Sequence, residues 1–125
     1  MFFVADVVAA SAYYRDVLGF DYDMLWGEPP SFCMPMRDEM TVMLKQMDDP
    51  ARIRPNSAGG EWDAYVWVRD ADALFAEVSS RGARVVYEPV DQEDYGNREF
   101  GVYDLDGYLI AFGHDIAAQR ERDGA

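Results

Sequence analysis

Histidine and cysteine are almost missing from these 125 residues, which hold one of each, His114 and Cys33. A lone cysteine excludes an intrachain disulfide, and a lone histidine leaves no Ser-His-Asp order and little for general acid–base work. Positive charge is scarce too: 11 Lys and Arg stand against 24 Asp and Glu, a formal charge of −13. Such a chain repels a phosphate backbone instead of neutralising it, so nucleic acid and anionic membrane surfaces are excluded as partners. No apolar run approaches the roughly 20 residues that span a bilayer, because Asp, Glu or Arg interrupts each one. No basic segment leads into an apolar run at the start, so the expected location is the cytoplasm. A glycine-rich phosphate loop is absent, and Asp104 and Asp106 lack the EF-hand spacing and read as a turn.

What the chain does have is apolar material: 50% of its residues are hydrophobic and 14% aromatic, enough to bury a core. The length fits one domain, 1–125. Phe2 to Ala5 reads as a strand, Asp6 as an N-cap, and Val7 to Leu18 as a helix stopped by Gly19. Strands follow at Asp21 to Trp26, Phe32 to Met36 and Thr41 to Gln46, parted by Gly27-Glu28-Pro29-Pro30 and Arg37-Asp38-Glu39. Residues 48–60 carry Pro50, Pro55, Gly59 and Gly60 without apolar periodicity and form a connector. The same order then returns: strand Trp62 to Val68, N-cap Asp70, a helix with Ala71, Leu74, Phe75 and Val78 at helical spacing, and a stop at Gly82. Strands Arg84 to Glu88, Arg98 to Tyr103 and Tyr108 to Gly113 complete it. The expected fold is α+β, a βαβββ unit used twice (module 1, 1–47; module 2, 61–115) to make cupped mixed sheets, with a charged, frayed tail at 116–125. One helix covers one face of a sheet, so the other faces must close on each other or on a second chain.

Two segments resemble a known family. Tyr13-Tyr14-Arg15-Asp16-Val17-Leu18-Gly19-Phe20, after Asp6, is similar to the first helix of the vicinal oxygen chelate superfamily, which includes glyoxalases, extradiol dioxygenases and bleomycin-resistance proteins. Tyr95-Gly96-Asn97-Arg98-Glu99-Phe100 and then Asp104-Leu105-Asp106-Gly107-Tyr108-Leu109-Ile110 resembles its closing hairpin, with Leu105 where proline is usual. The resemblance covers nearly the whole chain. It implies a cup of strands as the site and a homodimer, since members commonly complete their cups between chains.

Metal-dependent members hold a divalent ion by ligands on the first, fourth, fifth and eighth strands. Here the first position falls before Met1, the fourth strand turns Met43 and Lys45 to the cup, the fifth has Asp63 where histidine is usual, and the eighth has Ala111 where glutamate is usual. Such ions need oxygen or nitrogen donors, which three of the four positions do not supply. His114 lies beyond the ligand position and reads as an exposed strand-end residue. The chain is expected to have no metal, no cofactor and no catalytic residue, and to stand closest to the bleomycin-resistance branch, whose members bind a cationic drug in a groove between chains.

Period-two alternation turns Ala64, Val66 and Val68 toward the helix and Asp63, Tyr65 and Trp67 into the cup, with Glu99, Gly101 and Tyr103 facing it from another strand. Asp63 and Glu99 are then neighbours whose charge would attract a cation. Tyr65, Trp67, Tyr95 and Tyr103 supply stacking surface, Ala111 the floor, and Trp26, Phe32, Met34 and Met36 an adaptable apolar wall. Core packing explains the aromatics equally simply, and solvated strand positions explain the carboxylates somewhat better than a binding pair does. Cys33, on the opposite parity to Phe32 and Met34, reads as a buried residue and not a nucleophile. Two functions follow: a metal-free binding protein sequestering a cationic or aromatic small molecule, or a glyoxalase-like lyase or isomerase with a metal site rebuilt from Asp63, Glu99 and His114. A cup that only supports assembly with a partner is a third reading.

Overall fold

The computed structural model describes residues 1–124. Strand β1 (Phe2–Val4) leads into α1 (Val7–Asp16). The Asp6 carboxylate accepts the Val8 and Ala9 N–H groups at 3.0 and 3.1 Å, which satisfies two of the four free amides at the helix start. Short strands β2 (Leu25–Trp26), β3 (Phe32–Cys33), β4 (Met36–Arg37), β5 (Met40–Thr41) and β6 (Leu44–Gln46) follow. The connector holds two 3-10 turns, Pro50–Arg52 and Asn56–Gly59. Module 2 comprises β7 (Ala64–Trp67), α2 (Ala71–Ser80), β8 (Arg84–Gln92), β9 (Asn97–Tyr103) and β10 (Leu109–Asp115). Asp70 caps α2 by accepting the Ala73 N–H at 3.1 Å. Gly19 and Gly82, just past the two helices, sit at φ +78° and +91°, where residues with a Cβ are disfavoured.

The strand order is β1-β6-β3-β2 in one sheet and β7-β10-β9-β8 in the other, so each sheet reads first, last, third, second within its module. In each, the first strand runs parallel to the last and the remaining pairs are antiparallel. This is the α+β repeat expected from the sequence. The long strands expected in module 1 are corrected: Asp21 makes only an isolated bridge to Met36, and β4 and β5 form a hairpin of their own. Pro35 separates β3 from β4 because it has no N–H to give to a ladder, and its carbonyl instead accepts the Val42 N–H at 2.9 Å.

Residues 116–124 are also corrected. They form helix α3 (Ile116–Gly124) instead of a frayed tail. The Asp115 carboxylate accepts the Ala118 N–H at 2.9 Å, and the Arg122 guanidinium donates to the Arg69 carbonyl at 2.8 Å, so the segment is capped at one end and tied down at the other. Among the described residues no helix is long and apolar enough to cross a membrane.

A continuous core joins the modules, with Val7, Tyr14, Leu18 and Phe20 of module 1 packed with Leu74, Phe100 and Phe112 of module 2. The Phe20 and Phe112 rings meet edge-on at 6.4 Å, and Phe100 stacks on Phe112 at 5.3 Å. The β9–β10 turn docks on module 1. Buried Asp104 accepts the Tyr14 hydroxyl at 2.8 Å and the Asp106 and Tyr108 N–H groups at 2.9 and 3.0 Å. The Tyr108 hydroxyl donates to the Phe3 carbonyl at 2.7 Å while its ring stacks on Phe2 at 4.2 Å. Helices α1 and α2 pack on the core side of their sheets, opposite the cup faces.

Candidate functional site

In module 2, Val66, Phe100, Ile110 and Phe112 enter the core, so alternation sends Tyr65, Trp67, Glu99, Gly101, Ala111 and Gly113 to the opposite, cup face. Register aligns Tyr65 with Ala111, Gly101 and Tyr87 across the sheet, and Trp67 with Gly113, Glu99 and Val90. Gly101 and Gly113 are required by what crosses them. A Cβ at Gly101 would overlap the Tyr87 ring, and one at Gly113 would overlap the Tyr65 hydroxyl. The two glycines form a groove through which both tyrosines reach Glu99.

The Glu99 side chain is wholly buried. Its Oε1 accepts the Tyr65 hydroxyl at 3.2 Å and the Tyr95 hydroxyl at 2.5 Å, and its Oε2 accepts the Tyr87 hydroxyl at 2.5 Å. Two of these hydroxyls accept in turn, Tyr65 from the Asn97 amide at 2.9 Å and Tyr87 from the Trp62 indole at 3.1 Å. A buried carboxylate is tolerated only when it is hydrogen-bonded, and here three phenols occupy both oxygens, two on Oε1 and one on Oε2. Burial pushes the Tyr65 phenol up to about 12, with the Glu99 charge adding to the effect and the Asn97 amide opposing it. Tyr87 and Tyr95 are raised as well, by burial first and then by the bond to Glu99 and its charge. All three phenols therefore stay protonated donors at neutral pH.

Around this knot stand four rings. Trp62 and Tyr65 lie 4.8 Å apart at 59°, Tyr65 and Trp67 5.3 Å apart at 59°, and Trp62 and Tyr95 6.3 Å apart at 86°. They line an open pocket of about 330 Å³ together with Asn97. Trp67 is 62% exposed, Tyr95 47% and Trp62 39%, a concentration of bare aromatic surface that soluble proteins reserve for binding sites. Tyr65 and Trp67 also border a second cavity of about 580 Å³, enclosed from the other side by the β4–β5 hairpin, Arg37 to Met40, and by Arg69.

Tyr65, Trp67, Tyr95 and Glu99 are thus brought together. Asp63 is not. Its two oxygens accept the Asn56 N–H at 2.7 Å and the Leu109 N–H at 2.8 Å. It lies beside Leu109 while Glu99 pairs with Gly113, four residues along β10 or about 13 Å. The expectation that Asp63 and Glu99 are neighbours is corrected: Asp63 precedes β7, where the connector captures its carboxylate. Ala111 is buried between Tyr65 and Gly101. Tyr103 shares the parity of Glu99 but stands at the far end of β9, 5.7 Å from the Arg84 guanidinium. Trp26 and Phe32 pack together at 5.7 Å on the other sheet, where half-buried Met34 follows them.

His114 is corrected from exposed to buried. It is 1% exposed and lies on the helix side of β10, where its Nδ1 accepts the Ala71 N–H at 2.8 Å and caps α2. β10 runs on to Asp115, so the residue is covered by the helix start. Asp63, Glu99 and His114 consequently diverge, and among the described residues no three His, Cys, Asp or Glu side chains converge to hold a metal. A metal site rebuilt from these three residues does not fit this arrangement. Cys33 is buried, its Sγ 3.7 Å from the Met24 carbonyl oxygen, and burial pushes its thiol up, away from thiolate chemistry.

Alternation missed three site residues. Trp62 lies before β7 begins, where strand parity has no meaning. Tyr87 follows a register shift in β8 that moves it to the face opposite the one counting from Val85 gives, and nothing in the local sequence marks that shift, since Pro89 belongs to a second one after Tyr87. Asn97 sits at the start of β9 and is 3% exposed. A buried amide needs a partner, and the Tyr65 hydroxyl supplies it.

The fold is shared with solved structures. TioX from Micromonospora sp. ML1 is 23% identical with a TM-score of 0.73, covering 91% of this chain and 94% of its own. TnmS3, an antibiotic binding protein from Streptomyces sp. CB03234, is 23% identical with a TM-score of 0.68, covering 91% and 92%. Integron cassette protein HFX_CASS4, from the mobile metagenome of the Halifax Harbour sewage outfall, is 18% identical with a TM-score of 0.69, covering 90% and 92%. No curated protein matches the sequence. The family model of the Glyoxalase/Bleomycin resistance protein/Dioxygenase superfamily matches residues 1–112, and with that match the chain belongs to this superfamily.

Proposed function

We propose that the chain binds a small aromatic or cationic organic molecule in the module 2 cup and leaves it chemically unchanged. The observation that carries this reading is the pocket of Trp62, Tyr65, Trp67 and Tyr95 backed by a carboxylate both of whose oxygens already accept from the chain's own phenols. Exposed rings supply contact area and orientation. Glu99 is occupied by three phenols and is not free to abstract a proton, and the sole histidine caps a helix instead of facing the cup. The likeness to TnmS3, which is described as an antibiotic binding protein, supports the same reading.

A second copy of the chain completes the site in this proposal. Met24, Trp26, Met36 and Met43 are exposed on module 1, as Trp62, Trp67 and Tyr95 are on module 2. Joining two such faces removes apolar surface from water at about 25 cal/mol per Å², and would lay Trp26, Phe32 and Met34 of one chain over the cup of the other.

Calorimetric titration with proflavine, a planar aromatic cation, and with neutral acridone tests the binding role. At least one is expected to saturate one site per chain and to be recovered intact, with affinity falling about tenfold in Trp67→Leu. Failure of both to saturate, or an unchanged Trp67→Leu affinity, overturns the site. Light scattering across a tenfold dilution is expected to give the dimer mass, and a monomer mass throughout overturns the shared cup.

A further inference from the structure

We infer that the four-ring pocket is a cage for an alkylated ammonium group, with Glu99 as its counter-charge acting through the phenols. This rests on the reading of the cup as a ligand site and narrows it to a chemical class.

Ring orientation is the first reason. A slot for a flat molecule needs parallel faces, whereas the rings here meet at 59°, 59° and 86°. Mutually inclined rings around an open pocket offer faces to a rounded group from more than one direction. A volume of about 330 Å³ is at the small end for ligand pockets.

Charge is the second. No Lys or Arg lines this pocket. Glu99 lies behind the rings, Glu93 and Asp94 precede Tyr95, and Glu61 precedes Trp62. The nearby basic residues, Arg37 and Arg69, border the adjoining cavity, where Asp38 and Glu39 accompany them. A cation over the ring faces is attracted by their quadrupoles. Phenols that donate to a carboxylate gain electron density in the ring, which strengthens that attraction at Tyr65 and Tyr95.

The third reason separates alkylated from primary ammonium. Oε1 of Glu99 already accepts two of the chain's own hydroxyls and Oε2 one, so a primary ammonium would bring three N–H donors to a carboxylate with one acceptor site left, a costly arrangement once desolvated. A quaternary ammonium carries its charge without donors.

The test is a calorimetric comparison of choline, its neutral isostere 3,3-dimethyl-1-butanol, and ethanolamine, at low ionic strength. Choline is expected to bind at least ten times more tightly than either. Trp67→Leu, at an exposed position that does not threaten folding, should weaken choline about tenfold. Glu99→Gln keeps a side chain able to hydrogen-bond the phenols but removes the charge, and should weaken choline several-fold while leaving the alcohol unchanged. Equal affinity for choline and the alcohol, tighter binding of ethanolamine, or an unaltered Trp67→Leu overturns the cage. If proflavine or acridone saturates the cup and choline does not, the cage falls while the binding role stands. If none of these ligands binds, both fall.

Discussion

In module 2 the second, third and fourth strands run nine, seven and seven residues, whereas the corresponding β2, β3 and β6 of module 1 run two, two and three. The strand order is the same in both. Topology follows from one helix seeking one apolar sheet face, a demand both modules meet with similar residues, Val7, Ala10 and Tyr14 in α1 and Ala71, Leu74 and Val78 in α2. Strand length follows from how each sheet meets proline: Pro29, Pro30 and Pro35 fall between the short strands of module 1, whereas β8 runs through Pro89 at a register shift. Long, continuously paired strands can hold a buried carboxylate and three phenols in one geometry. The broken sheet of module 1 has no such network and exposes methionines instead, which suits an adaptable wall.

If module 2 is the rigid half, deleting its core should cost far more than deleting a half-buried aromatic of module 1. Phe112→Ala, at a wholly buried ring in contact with Phe20 and Phe100, is expected to lose about 3–5 kcal/mol of unfolding free energy. Phe32→Ala, half-buried on the cup side of β3, should lose about 1 kcal/mol. Urea melts of both variants make the comparison, and equal losses would mean that strand length does not set rigidity here.

The joint between the halves is the next point to break. Burial pushes the Asp104 carboxyl up from 3.8 to about 6, against the pull of the bonds from Tyr14, Tyr108 and Asp106. Its folded value lies above its unfolded one, so the folded state binds more protons between them. The contribution of Asp104 is therefore most favourable below pH 4 and is lost as pH rises through 6. Between pH 4.5 and 7 that loss is about 2 kcal/mol. Asp104→Asn does not titrate, and its stability relative to the wild type should rise by about that amount across this window. A constant difference between the two would detach Asp104 from the pH dependence of the joint.

How far the sequence can be read differs between the modules for the same physical reason. Asp6, Gly19, Asp70 and Gly82 act on neighbours within four residues, so caps and stops are visible in the chain itself. Alternation places Tyr65 and Trp67 correctly because β7 is short, unbroken and buried on one side. It fails at Asp63, which the connector holds, at Tyr87, which lies past a register shift, and across Pro35. The Glu99 knot could be half seen. Its parity is local, but its partners come from 34, 12 and 4 residues away, and neither Tyr87 nor the filling of the carboxylate follows from spacing. His114 and Asp104 read as surface features because the elements that bury them, the start of α2 and Tyr14 of α1, lie 43 and 90 residues away.

The smallest effect sharpens the contrast most directly, since it tests whether Glu99 organises module 2 electrostatically or merely fills space. Burial is the leading cause of the raised phenols, and the charge of Glu99 raises them further. Glu99→Gln removes the charge and leaves the burial, so the three phenols should ionise at lower pH than in the wild type yet still above the ordinary value near 10. The absorbance of tyrosinate followed from pH 9 to 12 reads this. Tyr65, at about 12, is the group expected to enter the accessible range first, by less than about one pH unit, equivalent to roughly 1 kcal/mol. Tyr14, raised by burial and by Asp104 on the module 1 side, has no bond to Glu99 and serves as an internal reference that should not move. A titration curve identical to the wild type would show that the Glu99 side chain does not act electrostatically on the phenols, and both the counter-charge and the ring polarisation assigned to it would then be withdrawn.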